Sequence, residues 1–318
     1  MTFTITPVAG RLGAEVSHIS LASELDDATF SALYQALLQY KVLFLRNQHL
    51  NDAQQEAFSR RFGPQVPHPT VESAEQTSAI LHLDSRESRA NSWHTDVTFV
   101  ADYPKVSILR GEVIPAFGGD TVWANTATAY QDLPQPLQQL ADTLWARHAN
   151  AYDYAPSKNV DSTLSQHRRA RFVSEVYETE HPLVHVHPET GERNLLLGHF
   201  VRQIVGVSPQ DSALLFQLFQ QRITSLNNTV RWRWQQGDVV IWDNRATQHI
   251  AVDDYGDAAR IVRRTTVAGE VPVSINGEHS RAILPTVTTR SPQTEQEKQQ
   301  RQAPPQSSRQ GSAPGAAL

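Results

Sequence analysis

The chain has 318 residues, 39% of them hydrophobic, with a formal net charge of −5, so it can bury a sizeable core and carries no bulk attraction for nucleic acid or an anionic membrane surface. It contains no cysteine, which excludes disulfides, zinc–thiolate sites and iron–sulfur clusters. No run approaches the ~18 apolar residues of a membrane span, and the opening MTFTITPVAG lacks the basic-then-apolar pattern of a secretory signal, so a cytoplasmic location is expected.

In chain order, Phe30, Leu33, Tyr34, Leu37 and Leu38 recur at helical spacing, predicting a helix over 27–40 capped by Asp26 or Asp27. The run 41–45 reads as a buried strand, and 51–62 as a second helix stopped by Gly63. Residues 64–92 are rich in Pro, Ser and acidic residues and predict a loop with one strand near 79–83. The chain is strand-like over 93–113, turns at Gly118-Gly119-Asp120, and returns as a strand at 121–123. A Leu- and Ala-rich helix is predicted over 137–147. Residues 152–180 are polar and mixed in charge, with helical segments but no strong core face, which suits a lid over a site. Ser208-Pro209 opens a further helix, with Leu214, Leu215, Leu218 and Phe219 as its stripe. Val230, Trp232 and Trp234 alternate with Arg231 and Arg233 as a half-buried strand, followed by strands at 239–242 and 261–267. The stretch 288–318 is dominated by Gln, Ser, Pro, Arg and Ala and reads as a disordered tail, leaving 1–287 as one domain. Short strands, turns and a few helices predict a mainly β fold with flanking helices around a double-stranded β-helix, or jelly-roll, core.

One constellation carries chemistry. His94-Thr95-Asp96 on a strand would turn an imidazole and a carboxylate to the same side. A third ligand from the distant His249 would complete a two-His-one-carboxylate triad, the set that leaves positions open on Fe(II) for a co-substrate and O2. A single His-x-Asp is more often a pair of satisfied polar residues on a surface strand. Here its neighbours weigh against that: Trp93, the hydroxyl of Thr121 after a tight turn, the Trp242-Asp243-Asn244-Arg245 run leading to His249, and Arg260 and Arg264 four apart on one strand face. Two such arginines suit anionic ligands. His68, in Pro67-His68-Pro69, could donate to a bound anion beside them. His185 and His187 form a rival pair two apart, without a carboxylate at ligand spacing. No Gly-rich dinucleotide or P-loop sequence, HExxH or Gly-x-Ser-x-Gly is present.

The segments Trp93-His94-Thr95-Asp96-Val97-Thr98-Phe99, Gly118-Gly119-Asp120-Thr121, Val230-Arg231-Trp232-Arg233-Trp234 and Trp242-Asp243-Asn244-Arg245-Ala246-Thr247-Gln248-His249 resemble the taurine dioxygenase family of Fe(II)/2-oxoglutarate-dependent oxygenases. The resemblance runs from about Ile5 to Val273. It implies His94, Asp96 and His249 as Fe(II) ligands, Thr121 and Arg260 as partners of the distal carboxylate of 2-oxoglutarate, and His68, Val97 and Arg264 as holders of a sulfonate or sulfate. Where taurine enzymes carry a tyrosine and an asparagine, this chain has Val71 and Ala90. Trp123-Ala124-Asn125-Thr126, Tyr152-Asp153-Tyr154 and His187-Pro188-Glu189-Thr190-Gly191-Glu192-Arg193 look closer to the alkylsulfatase branch. The implied reaction hydroxylates the carbon next to the sulfo group of an alkyl sulfate ester, giving aldehyde, sulfate, succinate and CO2. The alternatives are a taurine or alkylsulfonate dioxygenase releasing sulfite, a metal-dependent sulfate-ester hydrolase, and a non-catalytic anion-binding jelly roll. Expected partners are a small anionic organosulfur substrate, no nucleic acid and no membrane. Relatives tend to assemble, so a homodimer or homotetramer is expected.

Overall fold

The computed structural model describes residues 3–77, 79–151 and 162–285; the expected tail and the 152–161 part of the expected lid lie outside the described residues. The first two helices form where their caps predict. Asp26 accepts the Thr29 N–H at 2.7 Å and opens Asp27–Tyr40. Asn51 and Gln54 close a capping box, each side chain accepting the other's backbone N–H at 2.9 Å, and open Asp52–Arg60.

These helices cover a seven-stranded sheet ordered Thr4–Pro7, Ala14–Ser17, Val42–Leu45, Val239–Asp243, Val106–Val113, Ile261–Val267, Leu81–Asp84. Its central strands read as unbroken apolar runs because both faces are covered. Leu43, Leu45, Ile108, Val239 and Ile241 pack under Leu33, Leu37 and Phe58 of the helices. The alternate residues Val42, Phe44, Leu109, Val240, Trp242 and Val262 turn inward and meet Trp123, Val230 and Trp232. Those three belong to a second layer, Thr229–Trp232, Thr121–Asn125 and Thr247–Ala251 in that order. Phe44 stacks on Trp232 at 4.3 Å between ring centroids and meets Trp123 edge-on at 5.6 Å. Two sheets facing across an aromatic core are the expected jelly roll.

Four local expectations are corrected. Residues 93–105 are not a strand: only Val106–Val113 pairs in the large sheet, and 96–99 form a turn. The helix predicted over 137–147 is Gln135–Thr143, followed by the strand Trp145–Ala149, so Trp145 and Arg147 belong to the strand and not to the helix. In the Pro209–Ile223 helix the inward stripe is Ser212, Leu215, Phe216, Phe219 and Ile223, whereas Leu214 is 65% exposed. Finally, the described part of the polar segment expected as a lid, from 162 onward, docks on the core. Its helix Ser162–Phe172 buries Phe172 among Val97, Phe99 and Phe200.

Beneath the site lies a buried ionic knot. Asp243 accepts from Arg245 Nε at 3.0 Å and Nη2 at 2.8 Å and from His187 Nε2 at 2.9 Å. Burial raises the Asp243 pKa, but Arg245 and His187 overcome this and hold it well below the usual carboxylate range. A folded-state pKa below the unfolded value near ~3.9 means that this stabilisation is full above that pH and fades as pH falls. Asp243→Ala removes the fully buried, doubly bonded counter-charge of Arg245 and is expected to cost about 3–5 kcal/mol. The deficit relative to wild type should shrink below about pH 4, a trend urea unfolding at pH 7 and pH 3.5 checks.

Candidate active site

His94 and His249 are brought together by main-chain pairing across the layers. Each backbone N–H donates to the other's carbonyl, at 3.0 and 2.7 Å, in an isolated antiparallel bridge. Gly198 permits the close approach behind them: its φ is +114°, and a Cβ there would meet the Trp93 carbonyl at 3.0 Å and the His94 Cα at 3.1 Å. Asp96 arrives by the turn that follows His94. The Asn244 side chain clamps that turn, accepting from Asp96 N–H at 2.9 Å and donating to the carbonyls of Asp96 at 3.1 Å and Pro104 at 2.8 Å. Thr95 points away and donates to the Thr247 carbonyl. The pair that strand alternation was expected to place side by side is therefore brought together by a bridge and a clamped turn, with no strand there.

The result is three buried donors on one point. His94 Nε2 lies 3.6 Å and His249 Nε2 3.8 Å from Asp96 Oδ1, with the ring centroids 4.1 Å apart. His94 places Nδ1 on the Ser92 carbonyl at 2.8 Å, which leaves Nε2 with its lone pair facing the point, the usual arrangement behind a metal-bound imidazole. Ser107 donates to Asp96 Oδ2 at 2.9 Å, and Arg264 Nη1 contacts Oδ1. Burial raises the Asp96 pKa, but Arg264, His249 and His94 together hold it well below the ordinary value. Burial, and then His94, push the His249 pKa down. An ionised carboxylate beside a neutral imidazole is the protonation state a divalent cation needs. Among the described residues, His94, Asp96 and His249 are the cluster of three that could hold a metal ion. The set fits Fe(II) with its opposite side open to the cavity. His185 and His187 are spent elsewhere, His185 Nε2 on the Arg245 carbonyl and His187 Nε2 on Asp243.

The cavity over the triad has a buried guanidinium at each of two ends. At one, Arg260 Nε donates to the Gly119 carbonyl at 2.9 Å and Nη2 to Thr121 Oγ1 at 3.2 Å. Both glycines of the Gly118-Gly119 turn have positive φ, so this carbonyl can face the arginine. Trp234 Nε1 also donates to Thr121 at 2.9 Å, so the hydroxyl accepts twice and its own proton is left to donate to a carboxylate. Arg260 is buried, which lowers its pKa, yet a guanidinium stays charged there.

At the other end stand Arg264, His68 and Val97. His68 Nδ1 accepts the Thr70 and Val71 N–H groups at 3.3 and 3.2 Å, so the ring carries its proton on Nε2 as a donor. Burial, then the charges of Arg264 and Arg168, push its pKa down to about 3 and keep it neutral at pH 7. Val97 has φ +60°, a strained conformation for a β-branched residue and of the kind that concentrates at functional sites. Val97, Phe172 and Phe200 line the cavity, Val71 packs against them from behind, and Ala90 is a further apolar lining residue. Every proposed site residue from the sequence converges on this one cavity. Sequence reasoning missed Ser107, Arg168, Phe172 and Phe200. Asn244 lay inside a quoted motif, and its clamping role had no signal in residue type alone.

Comparison with known proteins agrees with this geometry. The chain is 57% identical over 281 residues to an alkylsulfatase of Acinetobacter baylyi, covering 87% of this chain and 89% of that protein. It is 58% identical over 280 residues to an alpha-ketoglutarate-dependent sulfate ester dioxygenase of Pseudomonas putida, covering 87% and 93%. A crystal structure of a taurine dioxygenase from Burkholderia xenovorans superposes with a TM-score of 0.76 at 38% identity, covering 89% of this chain and 95% of that one. The family model for taurine catabolism dioxygenase TauD, TfdA family, matches residues 4–266, and with these relatives spanning nearly the same stretch the chain belongs to that family.

Proposed function

We propose that this chain, an Fe(II)/2-oxoglutarate-dependent dioxygenase by its family, oxidises the carbon that bears the sulfate ester of an alkyl sulfate. The observation that carries the reading is the pairing of a cationic end, Arg264 with His68, and apolar lining at Val97, Phe172 and Phe200, backed by Val71, beside the triad. A sulfo group needs the first and an aliphatic chain the second. The 57–58% identity to the alkylsulfatase and the sulfate ester dioxygenase supports it.

In this reading His94, Asp96 and His249 hold Fe(II), which when bound supplies O2 activation coupled to decarboxylation of 2-oxoglutarate. Arg260 and the Thr121 hydroxyl fix the distal carboxylate of 2-oxoglutarate. Arg264 and His68 Nε2–H hold the sulfo group, with Val97 beside it, and so aim the adjacent carbon at the triad. Phe172 and Phe200 exclude water and guide the chain. The net change inserts one oxygen atom of O2 into that C–H bond, while the other ends in succinate alongside CO2. The hydroxylated ester then breaks its C–O bond to sulfate, releasing aldehyde, sulfate and one proton. The protein's contribution is positioning and protection.

Residues 1–287 as one catalytic domain, a cytoplasmic location and a homodimer or homotetramer complete the proposal; light scattering checks the assembly. Among the described residues no helix is long and apolar enough to cross a membrane. The substrate test supplies Fe(II) protein with 2-oxoglutarate, O2 and separately hexyl sulfate, taurine and an aryloxyacetate. Succinate with sulfate from hexyl sulfate is expected. Succinate with sulfite from taurine as the faster reaction would move the chain to sulfonates.

A further inference from the structure

We propose that Tyr255 is a third donor to the distal carboxylate of 2-oxoglutarate, its hydroxyl completing the end of the cavity formed by Arg260 and Thr121. This rests on the reading of that end as the 2-oxoglutarate site. Tyr255 lies on the loop between Thr247–Ala251, which carries His249, and Ile261–Val267, which Arg260 immediately precedes. It is 4% exposed and lines the same cavity as the triad, Thr121 and Arg260.

Packing fixes the ring beside the arginine. A Cβ on Gly119 would stand 3.3 Å from Tyr255 Cδ1 and 3.1 Å from Arg260 Cδ, so the ring and the arginine stem both rest on that glycine. Asp254 holds the glycine in turn, accepting its N–H at 2.8 Å. The Arg89 guanidinium lies over the Tyr255 ring, 4.2 Å from its centroid. Arg89 is tied to the same loop, to the Asp253 carboxylate and to the Gly256 carbonyl at 2.7 Å.

The hydroxyl has a proton to give. Burial raises the Tyr255 pKa and outweighs the opposing charges of Arg260 and Arg89, so the phenol stays protonated at neutral pH. Ser85 also lowers it, as a donor to the phenol oxygen does. That direction agrees with the main chain: Ser85 Oγ accepts the Arg260 N–H at 3.0 Å, which leaves the serine proton for Tyr255. With its oxygen accepting from Ser85, the Tyr255 O–H can donate into the cavity. Burial lowers the Arg260 pKa and Tyr255 opposes that shift, which agrees with a hydroxyl beside the guanidinium.

The ligand sets the need. A carboxylate has two oxygens with about four lone-pair positions. Arg260 spends Nε on the Gly119 carbonyl and part of Nη2 on Thr121, and Thr121 has one proton to offer. A buried carboxylate oxygen without a donor is costly, and Tyr255 supplies a further O–H at this end. The same donors disfavour a 2-oxo acid that lacks the distal carboxylate, because they would be left unmet.

The test measures binding by anaerobic calorimetry with Fe(II)-loaded protein. The probes are 2-oxoglutarate, 2-oxopentanoate, which has the same carbon chain without the distal carboxylate, and hexyl sulfate at saturating 2-oxoglutarate. Tyr255→Phe keeps the ring under Arg89 and removes only the hydroxyl. It should weaken 2-oxoglutarate roughly tenfold or more, the loss of one hydrogen bond to a charged group. Affinity for 2-oxopentanoate and hexyl sulfate and the melting temperature should stay at wild-type values. If 2-oxoglutarate binds Tyr255→Phe within twofold of wild type while Arg260→Ala weakens it, the role of Tyr255 is overturned and the site reading stands. Equal weakening of both oxo acids by Tyr255→Phe also overturns that role, since the effect would not come from the distal carboxylate. Arg260→Ala with unchanged 2-oxoglutarate affinity, or wild-type protein that binds both acids equally, overturns the site reading and the proposal with it.

Discussion

Asp96→Ala is expected to abolish iron binding and all turnover. The substitution removes the only carboxylate of the triad and leaves two imidazoles as ligands, a poor hold on Fe(II). It also strands the Arg264 guanidinium, 8% exposed and now facing the histidines without its counter-charge, and leaves the Ser107 hydroxyl without its acceptor. A cation pointing at the vacated position repels any divalent ion that approaches. The fold is expected to survive, because Asn244 clamps the turn through the main chain of Asp96 and not through its carboxylate. Metal analysis after dialysis against Fe(II), beside circular dichroism, reads the two effects separately. Tight stoichiometric iron in the variant would defeat the triad assignment.

Arg260→Ala and Arg264→Ala are expected to separate the two ligands. Arg260 and Thr121 form one end of the cavity, so losing the arginine should raise the 2-oxoglutarate requirement about tenfold to a hundredfold, equivalent to ~1.5–3 kcal/mol for a charge-assisted bond, and leave the alkyl sulfate requirement nearly unchanged. Arg264→Ala should do the reverse. The bulge between Ile261 and Val262 leaves alternation intact through this stretch, so Arg260, Val262 and Arg264 all face the cavity while Arg263 turns out to Glu112 and Asp52. Steady-state titration of each ligand at saturating concentration of the other measures the split. Equal shifts in both constants for both variants would contradict the division.

The triad was legible because its chemistry fixes residue type: two imidazoles and a carboxylate are scarce in an otherwise apolar stretch. Their convergence was legible only in outcome, since the strand expected at 93–113 dissolves into a bridge and a turn before Val106. The jelly roll followed from short strands, turns and a few helices; among those strands the apolar runs at 41–45 and 239–242 become central strands covered on both faces. Roles for Thr121, Val97 and Arg264 came from resemblance, because one threonine or arginine looks like any other in sequence. Phe172 was hidden for a physical reason. It sits in a polar helix that offers one buried ring to the core, so no stripe marks it, and its meaning comes from what lies beneath it. Asp243 and His187 were likewise invisible as partners, being 56 residues apart and joined only by the fold.

The most direct measurement of the central claim follows hexyl sulfate with Fe(II) protein and 2-oxoglutarate, in air and under nitrogen, quantifying hexanal, hexanol, succinate and sulfate. The predicted result is hexanal, succinate and sulfate in equal amounts in air and none of them under nitrogen. Hexanol and sulfate formed without O2 or succinate would contradict it and make the same three ligands the centre of a hydrolase.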